Sequence, residues 1–108
     1  MNYEIIPTHP YIREAKALAK KYPSLKNDLL KLFEQLQINP QSGESLGKSC
    51  YKIRISIASK GRGKSGGARV ITHVRITSEK IYLLSIYDKS DQEIIEDGEI
   101  SQRLDNIE

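Results

Sequence analysis

Apolar positions recur along this chain with two different periods, and the change of period divides it. From Tyr11 to Tyr22, the residues Ile12, Ala15, Leu18, Ala19 and Tyr22 fall at helical spacing. Pro7 and Pro10 bracket a break before them, with Thr8 as the expected N-cap, and Tyr3–Ile6 is a short β-prone run that reads as an opening strand. Pro23-Ser24 interrupts, and a second helix begins with Ser24 as its N-cap. Its stripe is the cleanest in the chain: Leu25, Leu29, Leu32, Phe33 and Leu36. Asn39-Pro40 ends it, because the residue before a proline is pushed out of the α region. Two amphipathic helices joined by so short a break form a hairpin that needs a surface to cover.

Residues 41–49 (QSGESLGKS) read as a polar loop, and beyond them the period becomes two. In Cys50–Ala58, Tyr51, Ile53, Ile55 and Ile57 point one way, and Lys52, Arg54 and Ser56 the other. A basic glycine-rich loop, 59–67 (SKGRGKSGG), leads into Ala68–Ile76. There Val70, Thr72, Val74 and Ile76 alternate with Arg69, Ile71, His73 and Arg75. Thr77–Lys80 is a turn, and Ile81–Tyr87 is nearly continuous apolar sequence, as in a strand buried on both faces. Ser90 followed by Glu93 matches a capping box and is expected to start a helix, which Gly98 breaks before a second short helix through Leu104 and Ile107. The order β-α-α-β-β-β-α predicts one α+β domain over residues 1–108, an antiparallel sheet with the helical hairpin on one face.

Composition narrows the class. A chain of 108 residues with 38% hydrophobic residues has enough apolar sequence for one core and little room for a second. No apolar run approaches the ~20 residues that span a bilayer, and the N-terminus lacks the pattern of a signal peptide, so a cytoplasmic protein without membrane contact is expected. The single cysteine, Cys50, excludes an internal disulfide framework. Charge is unevenly placed: residues 49–89 carry nine Lys/Arg against two Asp/Glu, and residues 90–108 carry one against seven. A basic middle beside an acidic tail points to a polyanion-binding surface more strongly than the net charge of +3 does.

The candidate chemistry lies on the sheet face away from the helices. Lys52 and Arg54 share one side of a strand, and Arg69, His73 and Arg75 share one side of the next. Lys60, Arg62 and Lys64 stand on the loop between these strands. Clustered cations repel one another and do not help folding, but they become favourable when a phosphate chain arrives and counterions are released. An ordinary polar outer face is the competing reading. Residues 58–65 (ASKGRGKS) differ from a P-loop only by Ala58 in place of the first glycine. A P-loop must open a helix, however, and GGARVITHV is strand-like, so an NTPase is rejected. His9, His73 and Cys50 have no metal-ligand spacing, so no metal is expected. His73 could act as a general base, although a lone strand histidine is more often structural. Cys50 reads as a buried small residue. Tyr87 ends the buried strand just before polar Asp88-Lys89-Ser90, where a phenol and an amine can be held rigidly at a surface.

The strand KIRI (52–55), the Gly/Lys loop, GGARVI (66–71) and KIYLLSIYDKSDQE (80–93) together resemble the RelE branch of the RelE/ParE toxin superfamily, and within it the HigB-type toxins. The resemblance implies a microbial ribonuclease fold and the toxin of a type II toxin–antitoxin module that cleaves mRNA in the ribosomal A site. It further implies a cognate antitoxin as partner, with operator DNA reached through that antitoxin, and no cofactor. In such a reaction the RNA 2′-OH attacks the adjacent phosphate and expels the 5′-oxygen. By the resemblance, Arg54 and Arg69 stabilise the phosphate, Lys52 and Lys89 are proton-transfer or phosphate-contact residues, and Tyr87 joins them. Lys60, Arg62, Lys64, His73 and Arg75 are expected RNA contacts. Arg69 is expected to point outward, so that its loss would spare the fold. The chain departs from some relatives in having Ser90 after the lysine and no tyrosine in residues 91–108, which leaves the base unassigned. Two other functions share these features: a ParE-like gyrase inhibitor that hydrolyses nothing, and an RNA- or ribosome-binding member without activity.

Overall fold

In the computed structural model, which describes residues 2–61, 63, 66–92 and 94–107, the elements run β1 (Glu4–Pro7), α1 (His9–Lys21), α2 (Leu25–Ile38), β2 (Glu44–Gly47), β3 (Cys50–Ile55), β4 (Ala68–Arg75), β5 (Lys80–Asp88) and α3 (Asp97–Asp105). A short 3-10 turn, Ala58–Lys60, follows β3. The strands form one sheet in the order β1-β5-β4-β3-β2. The fold class is α+β, as the sequence predicts, with several differences in detail.

The sheet is mixed, not antiparallel: β1 lies parallel to β5, pairing Ile5 with Ile81 and Ile6 with Tyr82. Alternation assigns a face to each residue of a strand but says nothing about which strand lies beside it. Second, residues expected to be loop contain β2, which pairs antiparallel with β3. Four residues with a single apolar side chain, Leu46, carry too little alternation to be read as a strand. Third, no helix starts at Ser90. Its amide and hydroxyl both donate to Asp88 Oδ1, at 2.9 and 2.6 Å, so it closes a turn instead of capping a helix. The single helix α3 begins at Asp97 and takes Gly98 into its first turn. Glu93, the other half of the expected capping box, lies outside the described residues.

The N-caps are also diverted. Thr8 and Ser24 hold the N-cap positions without a side-chain cap bond. The Thr8 hydroxyl donates to Leu83 O at 2.8 Å, and the Ser24 hydroxyl donates to Asp28 Oδ2 at 2.8 Å. Thr8 thereby ties the start of α1 to β5, and Ser24 ties the start of α2 to its own next turn.

Every residue of β5 from Ile81 to Asp88 is buried. On one face, Leu18, Leu25, Leu32 and Leu36 of the helical hairpin pack with Ile53, Val70, Val74, Ile81 and Ile86 of the sheet. Each such buried aliphatic side chain stabilises the fold by about 1.5–3 kcal/mol. The other face is not bare. Cys50, Ile71, Tyr82, Leu84 and Tyr87 form a second cluster with Ile95 and Ile100, joined by Leu46, Leu104 and Ile107. The short helix α3 thus covers the middle of the face expected to be open.

A β-bulge fixes α3 in place. Ile71 pairs with Ser85 and Thr72 with Leu83, so Leu84 has no residue opposite. Arg103 of α3 donates to Leu84 O at 2.6 Å and grips Glu14 of α1 through two bonds, at 3.0 and 2.8 Å. Glu14 in turn accepts from the Ser85 hydroxyl and from Ile86 N.

Candidate active site

The register of three strands brings the candidate residues together. Arg54 of β3 lies opposite Arg69 of β4, which lies opposite Tyr87 of β5. Two residues along β3, Glu44 of β2 lies opposite Lys52, which lies opposite Ile71. Cross-strand neighbours share a face, and here that face opens into a cavity of about 610 Å³ lined by Gly43, Glu44, Lys52, Arg54, Arg69, Lys89 and Ile94. Gly43 is required by close approach: its φ is +100°, and a Cβ there would stand 2.4 Å from Lys52 O. Any larger residue would push β2, and Glu44 with it, off the cavity edge.

Arg69 is 5% exposed, so it does not point outward as expected. Its guanidinium donates to Ala68 O at 3.2 Å. Burial, and then the neighbouring charge of Arg54, lower its pKa, while Tyr87 acts against them. Two guanidinium groups held side by side, one buried, form a strongly electropositive floor. Tyr87 is also buried, and its hydroxyl has no hydrogen-bond partner among the described residues. Its pKa is raised by burial against the opposing pull of Arg69. Tyr87 does not line the cavity; it lies beneath, beside Arg69. Lys52 reaches Glu44 Oε1 at 3.5 Å, and its side chain remains 22% exposed. Lys89 is half-buried, and its amide donates to Gly67 O at 3.0 Å.

Behind Lys89 stands a polar knot that the sequence did not suggest. The Asp88 carboxylate accepts from Lys60 Nζ at 2.5 Å, from the Tyr22 hydroxyl at 2.7 Å and from both donors of Ser90. Burial alone would raise its pKa; the bonds from Lys60, Ser90 and Tyr22 outweigh that and hold it well below the usual carboxylate range. The knot joins the end of α1, the start of the glycine-rich loop and the end of β5. Lys89 follows Asp88 and precedes Ser90, both tied in the knot, and it lines the cavity. Asp88 is the last residue of β5, where the sequence places only the first of three polar residues after the buried strand.

Other expected contacts fall elsewhere. Lys60 spends its charge in the knot, donating also to the Ser90 hydroxyl at 2.8 Å, with a side chain only 10% exposed. Arg62 and Lys64 lie outside the described residues. His73 and Arg75 keep the face predicted for them, but they sit at the far end of β4, His73 about 13 Å along the strand from Arg69, beyond the Cys50–Ile71 cluster. There they border a separate hollow with Gln41 and Ser49. Arg75 Nε donates to His73 Nε2 at 3.4 Å, and its guanidinium lies 4.9 Å from the centre of the Tyr82 ring. Burial and then Arg75 lower the pKa of His73, against a hydrogen bond to the Lys48 backbone. Cys50 is fully buried, and burial pushes its thiol up to about 11 against the pull of Lys48, which leaves a poor nucleophile. Among the described residues no three His, Cys, Asp or Glu side chains gather as metal ligands, and no helix is long and apolar enough to cross a membrane.

Glu44 and Ile94, both at the cavity, escaped the sequence reading. The pattern puts Glu44 in a loop because β2 has only four residues. Ile94 is 56% exposed because its neighbour Ile95 is anchored in the second cluster, which turns Ile94 the other way.

Comparison with known proteins bears on the same regions. The structure is similar over the full length of both chains to that of E. coli toxin RelE in the free state, solved as a double arginine-to-alanine mutant, with a TM-score of 0.65 at 16% identity. A crystal structure of the isolated E. coli RelE toxin matches with a TM-score of 0.50 at 18% identity, over 95% of this chain and 99% of that one. These likenesses establish the fold. A family model described as "RelE toxin of RelE / RelB toxin-antitoxin system" matches residues 18–105, a span that holds the end of α1, all of α2, the basic strands and α3. The narrower HigB-type likeness stays an expectation from the sequence, but with fold and sequence model in agreement, this chain belongs to the RelE toxin family.

Proposed function

We propose that this protein is the toxin of a type II toxin–antitoxin module and acts as a ribosome-dependent mRNA endonuclease in the cytoplasm, silenced by a cognate antitoxin. The observation that carries this reading is the convergence of Lys52, Arg54, Arg69 and Lys89 on one cavity. The reaction needs charge stabilisation around a phosphorane-like transition state, and preorganised cations in a partly buried site supply it at no reorganisation cost. Arg54 and Arg69 hold the phosphate oxygens, and Tyr87 supports Arg69 from beneath. Lys52 and Lys89 flank them as phosphate contacts, and an ammonium of this pair protonates the departing 5′-oxygen. The reaction as proposed uses no cofactor. An antitoxin covering this electropositive cavity with acidic side chains would exclude RNA.

Expression in growing bacteria, with mapping of new mRNA 5′ ends, tests the proposal: growth arrest with codon-phased cuts is expected. Arrest with intact mRNA and accumulated cleaved gyrase–DNA complexes would replace it with the ParE-like reading. Ribosome binding without cuts would leave only an inactive member of the fold.

A further inference from the structure

The sequence places Lys60 on a loop among the expected RNA contacts, yet its ammonium is drawn inside the knot. It lies 2.5 Å from Asp88 Oδ1, 2.8 Å from the Ser90 hydroxyl and 5.6 Å from the centre of the Tyr22 ring. We propose that Lys60 is a positioning residue: its buried ammonium fixes the turn that carries Lys89, and so sets where the Lys89 ammonium meets RNA at the cavity. The inference rests on the endonuclease reading above.

Three observations converge on it. First, the turn after β5 is built around Asp88. Its carbonyl accepts from Asp91 N at 3.0 Å and Gln92 N at 3.3 Å, and its Oδ1 accepts from the amide and hydroxyl of Ser90. Lys89 stands at the corner of that turn, its own amide donating to Gly67 O at 3.0 Å. Second, one ammonium closes the turn from outside, holding the carboxylate on one side of Lys89 and the hydroxyl on the other. Third, Lys60 is itself anchored. The 3-10 turn that it ends is tied to the start of α2, with Ala58 N donating to Asp28 Oδ2 at 3.1 Å and Ser59 N to Ser24 Oγ at 2.8 Å. The knot thus joins the Lys89 turn to a packed helix.

Stability alone does not call for this charge. Withdrawing an ammonium and a carboxylate from water offsets much of what their attraction returns, and well-packed apolar side chains often serve as well or better. Nor does Asp88 need a buried partner to have a cation nearby: Lys21 lies 4.0 Å from its Oδ2 with a side chain 59% exposed, against 10% for Lys60. What the buried junction adds is direction. A lysine reaches its target on a flexible four-carbon stem, so its useful position depends on where its backbone stands. A displacement of about 1 Å at a reacting group can cost about 10² in rate.

The test is single-turnover cleavage of mRNA on programmed ribosomes by the wild type, Lys60→Met, Ser90→Ala, Lys21→Gln and Lys89→Ala. Lys60→Met and Ser90→Ala are each also combined with Lys89→Ala, and ribosome affinity is measured against salt. Lys60→Met is expected to cut about 10–10²-fold more slowly with the salt dependence of binding unchanged. Lys89→Ala should be slow as well. In that background Lys60→Met should cost nothing further, because a residue that acts through Lys89 has nothing left to place. Ser90→Ala, which keeps the ion pair, should give the same pattern with a smaller loss, and it carries the test if Lys60→Met does not fold. Lys21→Gln should cut at the wild-type rate. If the wild type cuts and the knot and Lys89 losses multiply, the knot only supports the fold; the assignment is wrong and the endonuclease reading stands. A salt dependence reduced by about one phosphate contact in Lys60→Met would make Lys60 an RNA contact instead. A Lys21→Gln variant as slow as Lys60→Met would show that any cation at Asp88 suffices, which also overturns the assignment. A wild type that cuts nothing removes both readings.

Discussion

The two ends of β4 carry the same kind of residue on the same face of the sheet and use it in opposite ways. At one end Arg69 is buried beside Arg54, over a cavity that also receives Lys52 and Lys89. At the other, Arg75 lies over the Tyr82 ring and donates to His73, which approaches Cys50 Sγ at 3.7 Å through Nδ1. The far end uses its cation in local packing. The near end sets two guanidinium groups side by side at a cavity, an arrangement that an arriving phosphate would relieve. Between them Ile71, Leu84 and Ile100 form an apolar divider. Shared face and shared charge therefore do not make one site; what matters is whether the neighbouring strands and α3 leave room above.

The sharpest way to break this contrast is to untie the knot behind the near end. Asp88→Asn removes one partner of a buried ion pair and should cost about 3–5 kcal/mol of stability, read by urea unfolding at neutral pH. The pH dependence has a definite sign. The folded-state pKa of Asp88 is depressed, so its contribution is complete above the unfolded value of about 3.9 and is lost as pH falls toward the folded value. The gap between wild type and Asp88→Asn should therefore close on acidification below about pH 4. A gap independent of pH would show that the charge is not what the knot uses.

Next in size, Arg69→Ala should slow cleavage about 10²–10³-fold by removing a preorganised donor, measured by primer extension on programmed ribosomes. Full activity in this variant would remove Arg69 from the reaction. A smaller effect separates the two ends in binding alone. Neutralising Arg54 should lower the salt dependence of RNA affinity by about one phosphate contact, whereas Arg75→Gln should leave the slope unchanged. Equal slopes for both variants would mean that the whole face binds RNA. The smallest effect belongs to His73→Gln, expected to leave the cleavage rate within about threefold, well short of the roughly 10²–10⁴-fold that general acid–base catalysis contributes. A larger loss with normal binding would bring His73 back as a catalytic residue.

Much of the fold was legible along the chain. The stripe of α2, the alternation of β4 and the apolar run of β5 each appear where the pattern places them. These segments bury a whole face or both faces, so their sequence must repeat the geometry of burial. The weak signals failed where the local pattern is short or a competing partner intervenes. β2 has four residues, and the donors of Ser90, which would have capped a helix, were taken by Asp88. The candidate site shows the same split. Lys52, Arg54, Arg69 and Lys89 could be chosen from alternation and resemblance, whereas Glu44 could not, because its place depends on a strand pairing.

The amino-acid sequence alone decided which side chains share a face of their own strand, because that follows from a two-residue repeat internal to each segment. It also decided that basic charge would gather in the middle of the chain. Only the tertiary structure decided which of those charges meet. Strand order, the register across β2, β3, β4 and β5, and the docking of α3 are set by contacts between segments far apart in the chain. They gather Lys52, Arg54, Arg69 and Lys89 around one cavity with Glu44 at its edge, send Lys60 into the Asp88 knot, and leave His73 and Arg75 beyond an apolar wall.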